Sequence, residues 1–120
     1  MAAKDELGRR GEDTAAEYLR RAHGMVVLDR NWRCKDGELD IVATDPDLRL
    51  IVCEVKTRSG TRFGEPAEAV TDRKIRRIRG LARIWMAAHQ IAWCEVRFDV
   101  VAVLLPPGGP ATLTHYPAAF

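Results

Sequence analysis

Two neighbouring segments, ELDIVAT over 38–44 and LIVCEVKT over 50–57, constrain this chain more than any other part of it. Both are rich in β-branched and apolar residues at strand-like length, and Asp45-Pro46-Asp47 between them marks a tight turn. Together they read as a β-hairpin. The second segment is apolar at four consecutive positions, Leu50 to Cys53, so it has no face to turn to water. A strand of that kind belongs inside a sheet covered by helices on both sides.

The flanking sequence supplies those helices. Residues 4–22 predict one, with Leu7, Ala15, Tyr18 and Leu19 as its apolar stripe, Gly11 as a weak point and Gly24 as its stop. A strand over 25–33 and a turn at Lys35-Asp36-Gly37 lead into the hairpin. After a polar, Gly-punctuated loop over 57–65, a second helix is predicted from Thr71, its N-cap, to about His89. Its stripe is Ile75, Ile78, Leu81, Ala82 and Trp85. A final strand covers 96–105, and Pro106-Pro107-Gly108-Gly109-Pro110 closes the compact core over 4–105. Residues 106–120 are then a tail, or end in a weak edge strand. The expected fold is α/β, in the order αβββαβ, with a mixed central sheet flanked by helices. No repeat or linker divides the 120 residues, so 1–120 is expected to be one domain.

Composition removes several function classes. A hydrophobic content of 47% with 30% charged residues describes a globular chain rather than a disordered one. The first residues contain no apolar signal core, and the longest apolar run, 100–105, is far too short to span a bilayer. The expectation is a soluble, cytoplasmic protein with no membrane association. Cys34, Cys53 and Cys94 lack zinc-type spacing, and Cys53 reads as a small core residue. His23, His89 and His115 form no HExxH-like array, which leaves a His-based metal site little to work with. The net charge of +2 is too small for nucleic-acid binding by gross charge, so the distribution of charge decides.

The chemistry-bearing residues lie on the hairpin. Alternation along a strand puts Glu54 and Lys56 on one face, and Glu38 and Asp40 together on their own strand. A loop of five residues, 45–49, sets Asp40 opposite Glu54 and Glu38 opposite Lys56. Two carboxylates so placed stand within roughly 5.5 Å at Cβ, and like charges in that position destabilise a sheet. A divalent cation between them reverses the sign, and oxygen ligands suit Mg²⁺ or Mn²⁺. The bland alternative is that strand ends commonly carry solvated Asp, Glu and Lys. On the residues alone both readings stay open.

The succession GELDIV, EVKTR, FGEPAEAV with a downstream lysine, and RFDVV resembles the YraN-like family of small bacterial proteins. That family is similar to the PD-(D/E)xK, restriction-endonuclease-like superfamily near the archaeal Holliday-junction resolvases. The likeness covers about residues 8 to 104. It implies a restriction-endonuclease-like core with Asp40 as the motif aspartate, Glu54 at the D/E position and Lys56 as the lysine. Glu12 matches the glutamate that resolvase-like nucleases bring from an N-terminal helix, as a further metal ligand. Leu39 stands where the superfamily name has proline, which leaves the acidic positions intact. Glu38 is an accessory candidate, as a metal ligand, a partner for Lys56 or a shaper of the strand's start.

What this implies is an Mg²⁺- or Mn²⁺-dependent endonuclease hydrolysing DNA phosphodiester bonds, with branched or structured DNA as the substrate and RNA not excluded. Arg73, Lys74, Arg76, Arg77, Arg79 and Arg83 crowd the second helix opposite its apolar stripe, and like charges at that spacing repel by ~0.2–0.5 kcal/mol per pair. An anionic backbone would relieve that repulsion. Lys74, Arg73, Arg77, Arg58 and Arg62 are the expected contacts. Arg97 and Asp99 share a strand face and are expected to pair. Since resolvase-like nucleases often act as dimers, a homodimer comes with the resemblance. The alternative from another class is a non-catalytic module binding nucleic acid or a partner protein on the same fold, which millimolar Mn²⁺ would fail to bind.

Overall fold

A computed structural model describes residues 3–60 and 71–120. Helix α1 covers Ala3–His23, followed by strands β1 (Val26–Cys34), β2 (Gly37–Thr44) and β3 (Leu50–Arg58). Helix α2 covers Asp72–Ala88, and β4 (Val96–Leu104) and β5 (Thr112–Tyr116) complete the chain. The five strands form one sheet in the order β1-β2-β3-β4-β5, antiparallel except for the parallel pair β3 and β4. This mixed sheet with two helices is compatible with an αβββαβ restriction-endonuclease-like core.

The apolar pattern of β3 explains the layering. Ile51 and Cys53 pack with Ala15, Ala16 and Leu19 of α1, whereas Leu50 and Val52 pack with Ile78, Leu81, Ala82 and Trp85 of α2. Each fully buried aliphatic side chain contributes about 1.5–3 kcal/mol, so neither helix is optional. Thr71 caps α2 as expected, its hydroxyl accepting the Lys74 N–H at 3.2 Å.

Gly11 has a role beyond weakening α1. The helix crosses β3 so closely there that an added Cβ would lie 2.7 Å from Thr57 Cγ2 and 2.8 Å from Thr57 Cβ. Thr57 and Arg58 continue β3, where a loop was expected from 57 onward.

The final residues take the edge-strand alternative. β5 pairs with β4, Phe120 stacks on Phe98 with ring centroids 5.3 Å apart, and the Ala119 N–H donates to the Phe98 carbonyl at 2.7 Å. The compact body therefore extends well past residue 105.

Candidate active site

The site begins with a turn. Asp45, only 6% exposed, accepts the N–H groups of Asp47 at 3.0 Å and Arg49 at 2.9 Å, and the Arg49 Nε at 2.7 Å. Burial raises the Asp45 pKa, but these bonds outweigh it and leave the carboxyl below its ordinary value. The turn so fixed sets Thr44 opposite Leu50 and Ile41 opposite Cys53. One step further, the same register brings Asp40 to Glu54.

There β2 and β3 part. The last ladder pair is Ile41 with Cys53, and the Val55 N–H donates at 2.9 Å to Asp40 Oδ2 instead of to a β2 carbonyl. β2 stays with β1 down to Gly37. Leu39 packs on the α2 side of the sheet and Ile41 on the α1 side, although two residues apart on a regular strand share a face. The β1–β2 ribbon thus turns over at Asp40 and leaves a cleft of about 380 Å³ under α2. Glu38, Asp40, Glu54, Lys56, Lys74 and Arg77 all line it.

The electrostatics of this cleft are unfavourable as they stand. Glu54 is 6% exposed, and its Oε2 is buried without a hydrogen-bond partner. Burial, then the Asp40 charge, raises its pKa to about 7 against the pull of Lys56 and Lys74. Asp40 is raised by burial and by Glu38, although the Val55 N–H, Lys56 and Lys74 oppose this. Burial and the adjacent Lys74 lower the Lys56 ammonium to about 8, in spite of both carboxylates. Two acids that resist ionisation and a lysine that resists protonation are groups whose environments have displaced them toward neutral pH, which is common where proton transfer or metal binding is done.

Glu12 stands at the margin. Gly11 sets this turn of α1 against β3, and Glu12 feels Asp40: burial and that charge raise its pKa to about 7 while Asn31 and Arg30 pull it down. Glu12 Oε1 is buried and unpartnered, 3.9 Å from Arg30 Nη2. Among the described residues no three His, Cys, Asp or Glu side chains are grouped to hold a metal ion, and Glu12, which is not among the residues lining the cleft, couples to Asp40 and more weakly to Glu38.

Other expected residues fall as follows. Glu38 does not face Lys56; because β2 has left β3, it pairs with Arg33 across the β1–β2 ribbon, Oε2 to Nε at 3.3 Å, while lining the cleft. Lys74 and Arg77 of α2 line the cleft. Arg73 is exposed in the first turn of α2 and Arg58 ends β3, both away from the cleft lining. Arg62 lies outside the described residues. The sequence reading missed Arg30 and Asn31. Asn31 has φ 53 within β1, and asparagine tolerates this left-handed conformation.

Hard carboxylate oxygens, one of them orphaned, fit a small divalent cation better than they fit each other. Fold and cleft together define an α/β domain of restriction-endonuclease-like architecture carrying an acidic pair beside a lysine. The chain belongs to a family described as "Uncharacterised protein family UPF0102", whose profile matches residues 11–103. This is the YraN-like family to which the sequence motifs pointed. Along its whole length the chain is 57% identical to a UPF0102 protein of Frankia alni, covering 98% of that protein, and 56% identical to one of Frankia casuarinae, covering all of it. A UPF0102 protein of Nocardia farcinica is 50% identical over 117 residues, 98% of this chain and 91% of the relative.

Proposed function

We propose that this protein is a metal-dependent endonuclease acting on DNA, with Asp40 and Glu54 as the ligands of an Mg²⁺ or Mn²⁺ ion and Lys56 beside them. The observation that carries the reading is the Glu54 carboxylate, buried with one oxygen unpartnered and set against Asp40 at the point where β2 and β3 separate. The bound ion would supply Lewis-acid polarisation of a phosphoryl oxygen and a more acidic water.

The chain's own residues do the rest. The Val55 N–H fixes Asp40 Oδ2, and the Asp40 side chain lines the cleft. Lys56, lowered to about 8, can hold a proton at Nζ to offset charge on the phosphate, or give it up to orient the attacking water. Lys74 and Arg77 on the cleft wall suit the flanking phosphates, and Arg73, Arg76, Arg79 and Arg83 continue that positive surface along α2. Glu12 would act through water, from the α1 side.

The test is cleavage of linear, flapped and four-way DNA in Mn²⁺, comparing wild type with Asp40→Asn and Lys56→Ala. The expected result is metal-dependent cleavage abolished in both variants. Unchanged cleavage by highly purified variants would refute the assignment. Wild-type protein that binds DNA but, by calorimetry, takes up no Mn²⁺ at millimolar concentration would point instead to the non-catalytic module.

A further inference from the structure

Two of the three histidines, unpatterned in sequence, are brought together on the opposite side of the sheet from the cleft, while His89 stacks on Trp85 at the end of α2. His23 is the last residue of α1 and His115 lies in β5. His23 Nε2 and His115 Nδ1 are 3.4 Å apart, and Tyr18 Oη lies 2.8 Å from the first and 3.0 Å from the second. Behind His115, its Nε2 meets Asp99 Oδ2 at 2.8 Å. Asp99 is fully buried and is gripped by Arg97 Nε at 2.9 Å, Arg97 Nη2 at 2.8 Å and the Ala118 N–H at 3.0 Å.

The partners of Asp99 decide the tautomer of His115. The Arg97 guanidinium and the Ala118 N–H both donate to Asp99, which marks its oxygens as acceptors, so the 2.8 Å bond to His115 has Nε2 as the donor. In the neutral imidazole the lone pair is then on Nδ1, facing Tyr18 and His23. A carboxylate behind an imidazole whose other nitrogen points at open donors is the arrangement that orients and strengthens histidine as a metal ligand. The separation fits as well. Tetrahedral ligands at about 2.0–2.1 Å from an ion stand roughly 3.3–3.4 Å from one another, which is the spacing of the two imidazole nitrogens here. The phenol oxygen is a few tenths of an ångström closer, at hydrogen-bond distance. The negative end of the α1 dipole lies at His23 and favours a cation.

We propose that Tyr18, His23 and His115 form a second metal site, for Zn²⁺, Ni²⁺ or Cu²⁺, with Asp99 orienting His115. Imidazole selects these ions over Mg²⁺ and Mn²⁺, so the site is chemically distinct from the all-oxygen pair Asp40 and Glu54 and does not depend on the nuclease reading. Exposed His23 leaves the remaining coordination positions to water. A bound ion would tie β5 to the end of α1, two elements that meet here through side chains 97 residues apart in Tyr18 and His115.

The test uses metal-stripped full-length protein titrated with Cu²⁺ and followed by electron paramagnetic resonance. The expected spectrum shows coupling to two imidazole nitrogens at one equivalent. His23→Ala, a change at an exposed position, should remove the two-nitrogen pattern and weaken binding at least tenfold. Asp99→Asn should weaken it 10–100-fold while keeping both nitrogens. Should that variant fail to fold, His23→Ala and the expected rise in melting temperature with Zn²⁺, present in wild type and lost in His23→Ala, still decide the question. A one-nitrogen or oxygen-only spectrum, or equal Cu²⁺ affinity in His23→Ala, would overturn the proposal and leave a hydrogen-bonded cluster alone.

Discussion

Glu54→Gln should stabilise the metal-free protein above neutral pH while, on the nuclease reading, removing its response to Mn²⁺. The carboxyl titrates near 4.5 in an unfolded chain and at about 7 in the fold. Between those values the folded state holds more protons than the unfolded one, so wild-type stability falls as pH rises through that window, and the loss is complete above it. A gap of that size corresponds to an upper bound on the order of 3 kcal/mol. Because Asp40 and Lys56 share the shift, a difference of about 1–3 kcal/mol in favour of glutamine is expected at pH 8. Only below about pH 4, where the carboxyl is protonated in both the folded and the unfolded state, are the acid and the amide alike, and there the variants should converge. Urea unfolding in chelator measures this: with slopes of about 1–3 kcal/mol/M for a small domain, the midpoint should move by roughly 1 M at pH 8. Adding Mn²⁺ should raise the wild-type midpoint and leave Glu54→Gln unmoved. An identical difference at both pH values, or a glutamine variant less stable than wild type at pH 8, would refute the reasoning.

Three further outcomes follow from the geometry. Gly→Ala within a helix normally gains roughly 0.5–1 kcal/mol, but Gly11→Ala should lose about 1–3 kcal/mol by thermal denaturation, because the methyl meets Thr57 Cβ and Cγ2. Arg97→Ala deprives a fully buried Asp99 of its bidentate partner and should cost about 3 kcal/mol. The stability that Asp99 gives is present above the ordinary carboxylate range and lost as pH falls toward 2, so the acid-unfolding midpoint of that variant should move to higher pH. On the nuclease reading, Arg77→Ala should weaken DNA binding evenly across sequences and reduce the slope of log affinity against log salt by about 1.

The core and one side of the cleft were legible in the sequence because each rests on a local pattern. The four apolar residues Leu50 to Cys53 required helices on both faces, the period of α2 and its Thr71 cap fixed that helix, and the five residues 45–49 gave the register that leads Asp40 to Glu54. What stayed hidden depends on how the strands twist in space. Alternation placed Glu38 opposite Lys56, but it holds only while β2 and β3 remain paired, and they part after Ile41 and Cys53. Gly11 looked like a flaw in a helix because Thr57, which requires the missing Cβ, is far along the chain. The cluster of Tyr18, His23, Asp99 and His115 has no spacing to detect, since β5 at the edge of the sheet assembles it from both ends of the sequence.

The parting of the two strands also accounts for the site's chemistry. Had the ladder continued, Asp40 and Glu54 would have been a cross-strand pair of like charges with nothing to offset them, and the Val55 N–H would have gone to a backbone carbonyl. By turning the β1–β2 ribbon over at Asp40, the fold gives that N–H to a carboxylate oxygen and opens a space beneath α2. Lys74 and Arg77 line that space from the helix, and Lys74, whose charge also lowers Lys56, does not bring Glu54 back to its ordinary pKa. Glu54 is left with one buried oxygen unpartnered, between the buried strand β3 and a hairpin turn locked by Asp45. On the nuclease reading its relief comes from a proton or from a cation entering the cleft, and which of the two it takes should depend on pH and on the divalent metal available.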